Sequence, residues 1–313
     1  MTQSLTLKKG WNSVFLKVFP ENPDPVAVFK GTPVSIAAAY FRSESSTRFI
    51  SDPDTSTLKK EGWSIWYAPD RPDAALADLG AIFGNRAYLV YAESDFTWNV
   101  EGVVHFGRIR WKPDSFNLVG FPVDRLAPPT FDKFFSGSRS HNLLRVYRLV
   151  DEKWTRIANP SSAVIENGVA YWVYSKGASD HQGPIGVRIP KGEAITVGTQ
   201  VSSATVVLSN TSTDPVDISV ERKGSGSSNL PLGLGLKGFN QTTSRLTSFA
   251  VEFPASLSFK TLEPGEKAAF VLEPRVEQMQ SAVQATLLKI STQSGIVHWV
   301  PVIGTRADKA GRD

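Results

Sequence analysis

The sequence predicts an all-β protein with a few short helices: two tandem, related β-rich modules followed by a β-sandwich. Three observations predict it. The first is an internal duplication, in which Trp11-Asn12-Ser13-Val14-Phe15-Leu16-Lys17-Val18 reappears as Phe116-Asn117-Leu118-Val119-Gly120-Phe121-Pro122-Val123, an offset of 105 residues. The second is apolar alternation of period two in short runs bounded by turn residues. The third is a change of texture beyond Gly192, where Ser and Thr rise and tryptophan nearly vanishes. The expected divisions are 1–105, 106–194 and 195–306, with a tail at 307–313.

In the opening strand of each module, Val14, Leu16 and Val18 share a face, as do Val119, Phe121 and Val123. Asn12 and Asn117 fall on that same face at the strand start. A buried amide must be hydrogen-bonded, so each is expected to tie down neighbouring loop backbone, with ligand contact as the alternative. Prolines and a phenylalanine–glycine pair follow in both copies: Pro23, Pro25, Phe29 and Gly31, then Pro128, Pro129, Phe134 and Gly137. Proline suits a helix's first turn, so short helices are predicted around 25–30 and 130–135.

Each module closes alike, with Tyr88-Leu89-Val90-Tyr91 answering Tyr171-Trp172-Val173-Tyr174. Both faces of these strands are apolar, so both must be covered. A helix over 73–83, with Leu76, Leu79 and Phe83 at helical spacing and Gly84-Asn85 as its stop, is the predicted cover in the first module. The second module lacks it: Tyr88 and Tyr171 are 83 residues apart against 105 at the start, so about 22 residues are missing from its middle.

Further strands are predicted at 205–208, 216–220, 268–272, 286–290 and 297–302, the spacing of a sandwich. Leu208-Ser209-Asn210-Thr211-Ser212, Leu262-Glu263-Pro264-Gly265-Glu266 and Val300-Pro301-Val302-Ile303-Gly304-Thr305 resemble the immunoglobulin-like domains of the abnormal-spindle/hydin type. The resemblance covers roughly residues 196–306 and implies an interaction module without catalysis. The chain departs from that pattern at 224–248, read as a glycine-rich insertion. Leu230, Leu232, Leu234 and Leu236 within it are expected to pack on their own domain or on a neighbouring molecule. The tandem modules more loosely resemble the GWN-type repeats of bacterial surface proteins, which implies exported, non-catalytic units.

Composition narrows the function. The 313 residues are 41% hydrophobic and 20% charged, ordinary for a globular chain, and allow two or three domains. The net charge of +4 is spread evenly: residues 196–313 hold 11 Lys/Arg and 10 Asp/Glu of the 34 and 30 in the chain. Without clustered cations to displace counterions, nucleic acid is not an expected partner. The absence of cysteine excludes disulfides, thiolate metal sites and cysteine nucleophiles. Neither a signal-type apolar core nor a membrane-length apolar run is present, so the chain as given is expected to be soluble, with export needing a removed leader or another route.

Catalytic patterns are weak. Gly233-Leu234-Gly235-Leu236-Lys237-Gly238 spells a dinucleotide fingerprint, but Pro231 precedes it and no helix follows. His105, His141, His181 and His298 have no ligand spacing; His298 is expected on the solvent side of its strand, and Asp180-His181 in a polar turn. Asp52-Pro53-Asp54-Thr55-Ser56 offers oxygens but lacks the rest of a calcium loop. Asp70, Asp73, Glu93 and Asp95 read as loop acids. No cofactor or metal is expected. Aromatics carry more: Trp63, Ile65 and Tyr67 share one strand face and Trp66 the other, and Trp98, Trp111 and Trp154 lie near strand ends. Exposed, such rings could stack on sugars; buried, they are core or packing between modules.

The reading is therefore a non-catalytic structural or assembly protein of a bacterial surface or multi-subunit particle, with protein partners or self-assembly. Leu230, Leu232, Leu234 and Leu236 are its candidate contacts. A carbohydrate-binding module using Trp63 or Trp66 is the alternative, and a hydrolase with carboxylates between the modules a third.

Overall fold

A computed structural model describes residues 1–41, 62–224, 229–240 and 245–306. The structure is almost entirely strand, with two short α-helices among the described residues. The first module comprises β1 (Thr2–Leu7), β2 (Gly10–Leu16), β3 (Val18–Pro20), α1 (Pro25–Val28), β4 (Val34–Tyr40), β5 (Trp63–Tyr67), β6 (Arg86–Ala92) and β7 (Phe96–Val104). They form a four-stranded sheet, β2-β6-β4-β5, and a three-stranded one, β1-β7-β3. Leu7, Leu16, Phe29, Trp66, Ile82, Tyr88 and Trp98 fill the core between them.

The second module repeats the four-stranded plan. It contains β8 (Ser115–Gly120), α2 (Phe131–Phe135), β9 (Val146–Val150), β10 (Lys153–Arg156) and β11 (Ala170–Ser175). Its sheet order, β8-β11-β9-β10, matches β2-β6-β4-β5 strand for strand. The helices stand where proline placed them, α1 capped by Asp24 and α2 by Thr130. The difference in length lies mainly between the third and fourth strands of the sheet. Phe41 to Gly62 separates β4 from β5, whereas Asp151 and Glu152 alone join β9 to β10. Both of those residues take positive φ (45° and 63°), the geometry of a tight hairpin turn.

The asparagines do the same work in both copies. Asn12 accepts from Lys8 N at 2.8 Å and donates to the carbonyls of Lys8 (2.7 Å) and Gly10 (2.9 Å). Asn117 accepts from Lys112 N at 2.8 Å and donates to the carbonyls of Lys112 (3.2 Å) and Ser115 (3.0 Å). A second matched lock holds the closing strands. Tyr88 Oη accepts from Phe83 N at 2.7 Å and Tyr171 Oη from Glu166 N at 2.9 Å, each reaching five residues back. Burial pushes the Tyr88 hydroxyl up to about 12 and raises that of Tyr171 as well, so both stay protonated.

The helix predicted over 73–83 is corrected. Only Ala74–Leu76 form a single 3-10 turn, and Leu76 and Phe83 are exposed. The segment instead lies along the edge of β5, where Asp78 N and Leu79 N donate to Ile65 O and Asp78 Oδ1 accepts from Ile65 N. It buries Leu79 and Ile82, a spacing the helical register did not use. The outer faces of the closing strands are covered by the other module. Phe15 N donates to Gly168 O at 2.8 Å, Val14 bridges Val169, and the Tyr40 ring meets Trp172 edge-on at 5.1 Å.

The C-terminal part is a sandwich of two five-stranded sheets. Its strands are β12 (Ile185–Arg188), β13 (Ile195–Gly198), β14 (Ala204–Asn210), β15 (Ile218–Lys223), β16 (Leu232–Asn240), β17 (Arg245–Glu252), β18 (Ser256–Ser258), β19 (Lys267–Pro274), β20 (Val283–Thr292) and β21 (Val297–Thr305). The sheet orders are β12-β14-β19-β16-β17 and β13-β21-β20-β15-β18, and only the β13–β21 pair among these is parallel. The architecture is that of an immunoglobulin-like sandwich. β12, which precedes residue 195, hydrogen-bonds to β14 within it. The stretch 224–248 is corrected from insertion to ladder: its described residues supply β16 and the first part of β17. Glycines alternating with leucines masked a period-two strand, because glycine weakens strand propensity without breaking the alternation.

Candidate functional site

The β16–β17 hairpin is anchored at one end and free at the other. At its root Leu230 and Leu232 are fully buried. Leu230 occupies the space that a side chain at Gly304 would need, and Leu230 N donates to Ala285 O. β16 pairs with β19 only from Leu232↔Pro274 to Gly235↔Val271. Its pairing with β17 continues to Asn240↔Arg245. The outer half of the hairpin therefore overhangs the sheet as a two-stranded arm.

Period two carries the core face onto that arm. Leu232, Leu234 and Leu236 share a face, and they pass from fully buried, through half-buried, to 39% exposed. Across the ladder, Leu236 lies opposite Phe249 and Leu234 opposite Val251. Phe249 is 48% and Val251 39% exposed. β17 is also the last strand of its sheet, so among the described residues its outer edge has no ladder partner. Of the four candidate leucines, the structure thus places Leu230 and Leu232 in their own core, Leu234 half-buried against that core, and Leu236 alone on the arm. Phe249 and Val251 escaped the sequence reading because their partnership depends on a register that the sequence does not display.

The tryptophans separate in the same way. Trp66 is only 6% exposed and stacks on Phe29 at 5.0 Å, so a sugar platform at this residue is corrected. Trp63 is half-buried, beside Tyr40 at 5.3 Å and edge-on to Trp172 at 6.3 Å. Trp154 also meets Trp172 edge-on, at 6.1 Å. These rings, two from each module, line the seam between the modules.

Ionisable groups are mostly spoken for. Arg71 pairs with Asp73 and Lys8 with Asp95, which holds both carboxyls below their usual range, while Glu93 takes the Ser35 hydroxyl. His181 is buried, donating to Phe134 O at 2.8 Å, and burial lowers its pKa. His141 is also buried, with Nδ1 2.7 Å from Ser138 Oγ and its ring 4.4 Å from Trp111; burial pushes it down to about 4. His298, expected on the solvent side, is buried and likewise pushed down to about 4 by its removal from water. The alternation was right, but both faces of β21 are covered there. Lys17 reaches over Trp299, with Nζ 4.4 Å from the ring centroid. Desolvation first, then neighbouring Lys289, lowers this amine to about 7, while Asp124 opposes the shift. Asp52–Ser56 lie outside the described residues. Among the described residues, no three His, Asp or Glu side chains gather as metal ligands, and no helix is long and apolar enough to cross a membrane.

No family model and no curated protein matches this sequence. Among solved structures, the chain is similar to the chaperone–tip adhesion subunit pre-assembly complex, CsuC–CsuE, of Acinetobacter baumannii pili, at 13% identity and a TM-score of 0.23, covering 39% of this chain and 57% of that one. It is similar at the same identity and TM-score to an ASH/PapD-like domain of human CEP192, covering 39% and 84%. A third likeness, to the VesB protease of Vibrio cholerae, has 8% identity and a TM-score of 0.20 over 97% of this chain and 99% of that one. The chain thus spans little more than half the length of the first of these. Likenesses of this size carry none of those proteins' activities over, and the all-β class rests on this chain's own strand ladders.

Proposed function

We propose that this protein is a non-catalytic structural or assembly component, of a bacterial surface or a multi-subunit particle, that works through protein–protein contacts made by the β16–β17 arm. The observation that carries the reading is the exposed pair Leu236 and Phe249 beyond the last pairing with β19, continuing the face of Leu234 and Val251. A two-stranded ribbon is marginal in water, and an apolar row on an open edge is a template for a further strand. The abnormal-spindle/hydin resemblance of 196–306 and the tandem arrangement of the first two modules belong to the same reading. Light scattering on the purified chain tests it: mass should rise with concentration as arms engage, and a strict monomer at high concentration would oppose it.

A second reading, glycan binding, is favoured by one observation, the half-buried Trp63–Trp172–Trp154 cluster on the seam. Glycan-array binding lost in Trp63→Ala with the fold intact would support it, and a blank array would end it.

A further inference from the structure

A cleft of about 490 Å³ opens in the second module between the chain entering β9 and the chain leaving β10, with Asp132 of α2 on its wall. Two arginines line it. Arg145 immediately precedes β9, and Arg156 ends β10 opposite Tyr147. Ile157 N donates to Val146 O at 2.9 Å, so the pairing runs to the open end of this hairpin and both arginines leave it there on adjacent segments. Arg145 is held in place: its carbonyl accepts from Tyr174 N at 3.0 Å, and its guanidinium lies 5.1 Å from the Tyr174 ring centroid.

Three arginines of this chain pair with acids. Arg71 takes Asp73, Arg148 takes Glu166, and Arg275 lies by Glu252 and Glu277. Among the described residues no ion pair joins Arg145 or Arg156 to a carboxylate. Two guanidiniums line one concavity that holds a single acid, Asp132, and their planar forks suit the oxygen pair of an incoming anion. Asp132 leaves the cleft with a single net positive charge among these side chains, which favours a monoanion over phosphate. Leu143, which is 64% exposed, and half-buried Leu144 and Ile157 give the remaining wall an aliphatic surface.

We propose that this cleft binds a carboxylate carried on a short aliphatic body, with Arg145 and Arg156 clamping the oxygens and Leu143, Leu144 and Ile157 receiving the alkyl part. Asn142 adds an amide on the same wall. The carboxylate could come from a free branched-chain acid or from the C-terminal residue of a polypeptide. The inference is independent of the arm.

Ligand-observed NMR and calorimetry on the full chain test it with 4-methylpentanoate, an acetylated tetrapeptide ending in leucine, the amide of each, and inorganic phosphate. Saturable binding of the carboxylates is expected, with at least ten-fold weaker binding of the amides and of phosphate. Arg145→Gln and Arg156→Gln should each weaken the carboxylates ten-fold or more, while Arg148→Gln, outside the cleft, should not. Tighter binding of the peptide would assign the site to a chain end, and equal or tighter binding of the free acid would assign it to a small molecule. No saturation, amides or phosphate binding equally well, or indifference to both cleft variants would overturn the proposal.

Discussion

Gly120 of the second module leaves the space that the Phe15 ring of the first module occupies: a methyl at residue 120 would overlap Phe15 Cβ and its ring. The two matching sheets thus meet on their outer faces, glycine against phenylalanine. Gly120→Ala should cost about 1–3 kcal/mol through overpacking at this seam. Urea unfolding will show it as a lowered midpoint, and Phe15→Gly in the same chain, which removes both the ring and the Cβ, should recover part of the loss.

The paired asparagines make matched bonds in unmatched surroundings. Asn117 is buried, whereas Asn12 is partly open to water, which can replace what a truncation removes. Asn117→Ala should therefore cost about 1–3 kcal/mol, the cost of removing its bonds to the Lys112 and Ser115 backbone inside a buried site. Asn12→Ala should cost less than half as much. Equal losses in chemical denaturation would contradict this difference.

Acid should destabilise the fold through its buried histidines. Folded His141 and His298 titrate near about 4, and an unfolded imidazole near about 6.5. Between those values the unfolded chain binds more protons. The stability that these groups leave intact above pH ~6.5 is therefore lost as pH falls, by about 2 kcal/mol per histidine at pH ~5. His298→Phe should flatten the pH dependence of the urea midpoint between pH ~7 and ~5, and an unchanged slope would contradict the burial of this ring.

Legibility followed what each signal measures. The five sandwich strands and both proline-led helices were readable because alternation and proline act locally. The structural role of Asn12 and Asn117 was readable because a polar residue on a core face has few other options. The helix over 73–83 failed because Leu76, Leu79 and Phe83 fit a helical period by spacing alone, whereas the extended segment buries Leu79 and Ile82 and leaves Leu76 and Phe83 exposed. Trp66 and His298 turned on which faces are covered, a property of how the parts pack. For the candidate site, the leucines announced a contact, but only the register with β19 separates Leu230 and Leu232, which anchor, from Leu236, which projects. Phe249 and Val251 entered through the same register.

The arm is tested most directly by amide hydrogen exchange along β17, followed as protein concentration is raised. Contact through its open edge predicts protection across 245–252 that grows with concentration and is absent in the Leu236→Asp/Phe249→Asp double variant, whose remaining amides exchange as before. Exchange in β17 that is independent of concentration, or protection that survives the double substitution, would contradict it.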